Sequence, residues 1–187
     1  YKTARTKLGC RSLSRWETHV YSRSVAEVSQ AWLEFAASLD EVRVLRAAAL
    51  IGLAEEAVSI GAEYAKVRHA FGQPIGMYQA VAHPFADAVA ALDGAQLLVR
   101  KACCALDAGH PDGPALAVMA FAFAAETAYQ ASQHSLHVHG GYGFTEEYDI
   151  QLYYRRAKAW AVAFADPRHE LLVLADRRFG PAVTEGR

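Results

Sequence analysis

Apolar residues recur at helical spacing along most of this chain. In residues 40–68, Ile51, Ala54, Val58, Ala62 and Ala65 share one side, while Glu55, Glu56, Ser59, Glu63 and Lys66 share another. That pattern predicts one long amphipathic helix whose small contact residues let a neighbour approach closely. The stretch "HAFGQPIG" then interrupts it with two glycines and a proline. A second helix is predicted over 77–108, where Val81, Phe85, Ala88, Leu92, Ala95, Val99, Ala102 and Leu106 alternate spacings of four and three. Such a seam belongs to a helix packed nearly antiparallel in a bundle. Pro84 should kink that helix or mark its effective start.

"GHPDGP" closes the second helix, and a third is predicted over 114–138. Its first half carries no charge, so it should be buried on most sides. Its second half presents Glu126, Gln130, Gln133, His134 and His137 on one broad face. After a glycine-rich corner, "HVHGGYGFTEE", two further helical segments follow at 148–164 and 167–179. Residues 1–39 form an N-terminal remnant or linker with a short helix at 25–39, in which Val25, Val28, Trp32 and Phe35 are helically spaced. Residues 40–180 are the bundle proper and 181–187 a tail. No segment shows strand alternation, so the fold class is all-α.

Composition narrows the functional classes. The chain has 187 residues, 53% hydrophobic with much alanine, and a net charge of −1 from 19 basic and 20 acidic residues. It has no basic stripe suited to nucleic acid and no apolar run long enough to span a bilayer. Of three cysteines, Cys103 and Cys104 are adjacent, a poor disulfide framework. A reducing, cytoplasmic setting is expected. No signal-peptide pattern is present, and the first residue is Tyr1 rather than Met, as in a processed or partial chain. His134, His137 and His139 invite a metal reading, but no carboxylate lies beside them at matching spacing, so no metal site is expected.

Three separated motifs carry a family resemblance. "YAKVRHAFGQPIGMYQAVAHPFADAVA" resembles the R-x-x-F-G-x-P-I…Q signature of the acyl-CoA dehydrogenase family, "HVHGGYGFTEE" its glycine loop, and "LYYRRAK" the arginine-rich segment that follows. Together they are similar to that family's C-terminal helical domain, an up-and-down bundle, over roughly residues 40–178. The resemblance implies flavin adenine dinucleotide (FAD) at an interface between subunits, part of it gripped by these two corners. Arg68 would face the diphosphate, Phe71 and Ile75 would form an apolar wall, and Gln79 would hydrogen-bond the cofactor. Gly140 and Gly141 would offer backbone contacts. His137 stands where the family has a glutamine and would donate to the cofactor. Each position also has an ordinary structural reading. Arg68 suits a helix C-terminus, Phe71 a core, Gln79 a solvated first turn and the glycines a helix stop.

The family desaturates acyl-CoA thioesters between Cα and Cβ, with a carboxylate as base. Here the usual base position falls on Phe164 and the alternative one, just before Arg43, on Val42. Arg43 is retained and is expected in a supporting role near the thioester or base. Glu41, Asp166 and Glu170 are the substitute carboxylates, each otherwise an ordinary surface acid, and Asp166 replaces a family threonine. The ending "RRAKAWAVAFADPRHE" resembles a bacterial subset whose members often pair as unlike subunits. The implied partners are an acyl-CoA substrate, a second copy or an unlike subunit, and an electron-transfer flavoprotein or similar acceptor. A catalytically silent subunit and a non-enzymatic helical association module remain the alternatives.

Overall fold

The computed structural model describes residues 15–180, with side-chain surroundings given from residue 27 onward. The expected tail at 181–187, the first part of the N-terminal remnant and the Val25 side chain lie outside the described residues.

The described residues form five helices: α1 (Arg15–Val67), α2 (Gln79–Asp107), α3 (Gly113–His139), α4 (Ile150–Phe164) and α5 (Pro167–Phe179). Two-residue strands β1 (His69–Ala70) and β2 (Gln73–Pro74) pair antiparallel, and a 3₁₀ turn at Ile75–Met77 leads into α2. A second 3₁₀ turn, Gly140–Phe144, follows α3. The fold is all-α, as expected, and this small hairpin is the only strand pairing among the described residues.

The short helix expected at 25–39 is not separate, because it runs into the next as one helix. No proline lies between Arg15 and Val67, so nothing stops helical hydrogen bonding across the junction. Compactness nonetheless divides the chain in two, one unit ending at Ser38 and the other beginning at Leu39. In the first, Trp32 and Phe35 stack edge to face on the α1 surface.

In the second unit α3 is the central helix, packed against α2, α4 and α5. The core joins Val44, Leu50 and Ala54 of α1 to Leu92, Ala95 and Val99 of α2 and to Ala117, Phe121 and Ala124 of α3. Alanines dominate, so backbones approach closely and Phe121 fills the space between them. Truncating such a plug costs about 3–5 kcal/mol. Gly61 marks the tightest approach: a Cβ there would lie 2.6 Å from Ser135 Oγ and 2.9 Å from the Phe85 ring. α2 continues through Pro84, which sits in its second turn. Position 84 brings no N–H for the Ala80 carbonyl, yet at this end of the helix His134 Nε2 donates to Val81 O at 3.2 Å and ties α3 to α2.

Candidate functional site

The motif-bearing residues collect in two regions along α1. One, at its C-terminal end, holds the hairpin, the start of α2 and the glycine corner. The other surrounds Arg43.

At the first region Tyr64 closes α1. Its carbonyl accepts from Arg68 N at 2.9 Å, and Arg68 O accepts from Ile75 N at 2.8 Å, which shapes the turn. Tyr78 Oη donates to Ala70 O at 2.9 Å and braces the hairpin from below. Phe71 at its tip has φ of +52°. A bulky residue in this left-handed region is strained, and Phe71 is 98% exposed. Among the described residues its one ring neighbour is Tyr78, at 6.4 Å. The core reading of Phe71 is thus excluded. Arg68 is exposed and makes no ion pair among the described residues. Ile75 is half-buried in the 3₁₀ turn, and Gln79 is the exposed first residue of α2.

The glycine corner packs beside this turn. The His139 ring stacks on Tyr64 at 4.1 Å with 22° between planes, and Tyr148 meets both rings nearly edge-on. The buried His139 Nδ1 donates to Ser135 O at 2.7 Å. Gly140 ends α3 at φ of +62° and ψ of −142°, a conformation open only to glycine. Gly143 is buried; a Cβ there would stand 2.9 Å from Leu136 O. Gly141 has no such constraint: it is exposed, and a Cβ would meet nothing within 4 Å. His137 is exposed in the last turn of α3. The sequence reading missed Tyr64 and Tyr148 and took His139 only as a metal candidate. One helical turn separates Tyr64 from Arg68, and His139 adjoins the glycine pair, so proximity to the motifs was the available signal.

Two of the three clustered histidines, His134 and His139, are engaged in hydrogen bonds to backbone carbonyls. His134 donates to Val81 O and lies edge-on to Phe85 at 4.6 Å. Burial, reinforced by the nearby charge of His137, holds its pKa below the ordinary 6.5 despite the Val81 bond. Among the described residues no three His, Cys, Asp or Glu side chains are grouped to hold a metal.

Around Arg43 lies a buried cluster of charges. Arg43 is buried, with Nε and Nη2 donating to the two Glu170 oxygens at 2.6 and 3.2 Å and Nη1 to Asp40 at 2.7 Å. Arg177 Nη1 donates to the same Asp40 oxygen at 2.7 Å and to Pro114 O at 2.6 Å. Burial alone would lower the Arg43 pKa, but the Glu170 hydrogen bond and the charges of Glu170 and Asp40 outweigh it and raise it. Glu170 is therefore not a surface acid: it is buried, and both its oxygens are taken. Asp166 Oδ1 accepts from Arg168 N at 3.0 Å and caps α5, a role its position at the helix start dictates. Glu41 is an exposed α1 residue. Phe164, which the resemblance sets at the usual base position, lies edge-on to Phe121 at 5.3 Å, with the guanidinium carbons of Arg43 and Arg46 at 5.9 and 6.0 Å from its ring centroid. A groove of about 540 Å³ between α2, α3 and α5, lined by Leu98, Met119, Phe123, Leu171 and Leu174, includes none of the predicted site residues.

A bundle with an arginine-bearing hairpin and a glycine corner at one end matches known proteins. The family described as "Acyl-CoA dehydrogenase, C-terminal domain" matches residues 32–163. The chain is 36% identical to acyl-CoA dehydrogenase IpdE2 of Mycobacterium tuberculosis over 71% of its own length and 40% of that protein. Among solved structures, butyryl-CoA dehydrogenase from Megasphaera elsdenii superposes with a TM-score of 0.71 at 31% identity, over 76% of this chain and 37% of that one. The ChsE4-ChsE5 complex from M. tuberculosis gives a TM-score of 0.69 at 27% identity, over 77% and 39%. The chain thus belongs to the acyl-CoA dehydrogenase family, and spans about two-fifths of the relatives it matches. No helix among the described residues is long and apolar enough to cross a membrane.

Proposed function

We propose that this chain supplies the FAD-gripping edge of an acyl-CoA dehydrogenase that desaturates an acyl-CoA thioester, the cofactor being housed mainly by another subunit. The observation that carries this reading is Phe71, a fully exposed aromatic held at positive φ beside an Arg68 that makes no ion pair among the described residues. Among the described residues Phe71 has only the edge contact with Tyr78 to set against that strain; a planar ligand laid on the ring would offset it.

The residues present fit FAD. Arg68 offers a guanidinium fork for diphosphate oxygens, while Phe71 and Ile75 give an apolar wall. Gly141 bares its backbone where a side chain would stand in the approach. His137 and Gln79 supply exposed polar groups on flanking helix ends. When bound, the flavin supplies the electron-accepting chemistry. This chain's residues would bind and orient it.

They do not supply a base. Phe164 and Val42 carry no titratable proton, Glu170 is locked on Arg43, Asp166 caps a helix, and Glu41 points to solvent. Arg43 and Tyr64 are also 21 residues apart in one helix, about 30 Å along its axis. That separation suits an assembly in which one chain's corner grips a cofactor whose reacting ring lies against another. We therefore favour an unlike partner subunit that brings the carboxylate, an arrangement in keeping with the two-component ChsE4-ChsE5 relative. An electron-transfer flavoprotein or similar acceptor would take up the electrons.

The test is flavin retention. Wild-type protein, purified with any co-purifying partner, should carry or take up FAD. Arg68→Ala should weaken binding roughly tenfold to a hundredfold, the worth of about 1.5–3 kcal/mol for a charged hydrogen bond, without loss of helicity. Equal loss of both would return Arg68 to the role of a helix-end charge.

A further inference from the structure

We infer that Tyr64, His139 and Tyr148 are positioning residues: a three-ring splint that sets the glycine corner against the arginine hairpin. In its bearing on the cofactor the inference rests on the reading proposed above, but the mechanical coupling stands on geometry alone. Tyr64 is one turn before Arg68, whose amide it holds. His139 is the residue before Gly140. Their rings stack at 4.1 Å, so the two motifs, more than seventy positions apart in sequence, are joined by one ring contact. Tyr148 fixes the third side, 6.1 Å from Tyr64 and 5.5 Å from His139. It also lies 6.4 Å from Tyr142 inside the corner.

The His139 ring cannot turn freely. Ser135 O only accepts, so Nδ1 carries the hydrogen, and the bond pins the imidazole plane parallel to Tyr64. Beneath it Gly143 lets the chain fold back onto Leu136, which keeps Tyr142 and Tyr148 in reach. Neither Tyr64 nor Tyr148 is fully buried. Tyr64 stands one helical turn before the exposed Arg68 and His139 two residues before the exposed Gly141, so a change in the stack shifts the two corners relative to one another.

Reciprocal amide exchange on the full chain tests the coupling without any ligand. Tyr64→Ala should raise exchange at 140–144, and His139→Ala should raise it at 68–78, each about threefold or more, as expected for loss of an aromatic pair. Exchange in the α2 seam, at 92–102, should stay as in wild type, and Tyr64→Phe should behave as wild type throughout. If His139→Ala does not fold, His139→Leu refills the volume without stacking and serves the same comparison. Unchanged exchange at the distant corner, or a uniform rise everywhere, would overturn the splint. In parallel, the dissociation constant for ADP, used as a probe of the dinucleotide grip, should rise in the Ala variants by the same factor. Coupled exchange in a wild-type protein that binds neither ADP nor FAD would leave the splint intact and sink the cofactor reading instead.

Discussion

A methyl group added at Gly143 would land 2.9 Å from the Leu136 carbonyl oxygen, whereas one added at Gly141 meets nothing within 4 Å. Gly143→Ala should therefore cost about 1–3 kcal/mol of stability by overpacking, measurable in denaturant unfolding. Gly141→Ala should leave stability unchanged and show its effect only in flavin affinity. His134 gives a pH signature. Its folded-state pKa lies below 6.5 because burial disfavours the cation. The unfolded chain therefore takes up the proton first as pH falls. The stabilisation is complete above about pH 6.5 and is lost as pH drops through and below that value. His134→Gln keeps a donor for Val81 O and removes the titration. Its melting temperature should fall less than that of wild type between about pH 7.5 and pH 5.

At the scale of elements, periodicity located the helices because each buries a stripe of small residues at fixed spacing. Leu92, Ala95, Val99 and Ala102 are buried as their seam required, and α3 is enclosed along its uncharged half. The sequence could not show that the 25–39 helix is continuous with the next. A helix boundary needs a breaker, and the change of burial pattern at residue 39 is not one. The hairpin and glycine corner were legible as motifs, but Tyr64 and Tyr148 were not, since stacking is a matter of tertiary approach. Arg43 was legible as a residue, but its buried ion pair was not. Its partner Glu170 lies 127 positions away, on a helix of which it is the one buried side chain. Arg43→Ala should cost about 3–5 kcal/mol, because Glu170 would be left buried without its counter-charge and Asp40 would keep only Arg177. Arg43→Met with Glu170→Leu should recover much of that loss in the same unfolding measurement.

At the scale of the molecule, the hairpin follows the C-terminal end of α1, whereas Phe164 of α4 lies against Arg43 and Arg46, about six turns back along α1. On the function proposed above, one copy alone would lack a base. Dye reduction with acyl-CoA should be negligible for the chain by itself and should appear when an acyl-CoA dehydrogenase subunit carrying a carboxylate is added. Activity in the isolated chain would require a base among the side chains set aside above. The quartet of Asp40, Arg43, Glu170 and Arg177 has a consequence for descent as well as for folding. Each charge there is balanced by neighbours it cannot lose singly, so drift at one site is penalised until the others change with it. Among related sequences, positions 40, 43, 170 and 177 should vary as a set, kept together or replaced together by apolar residues.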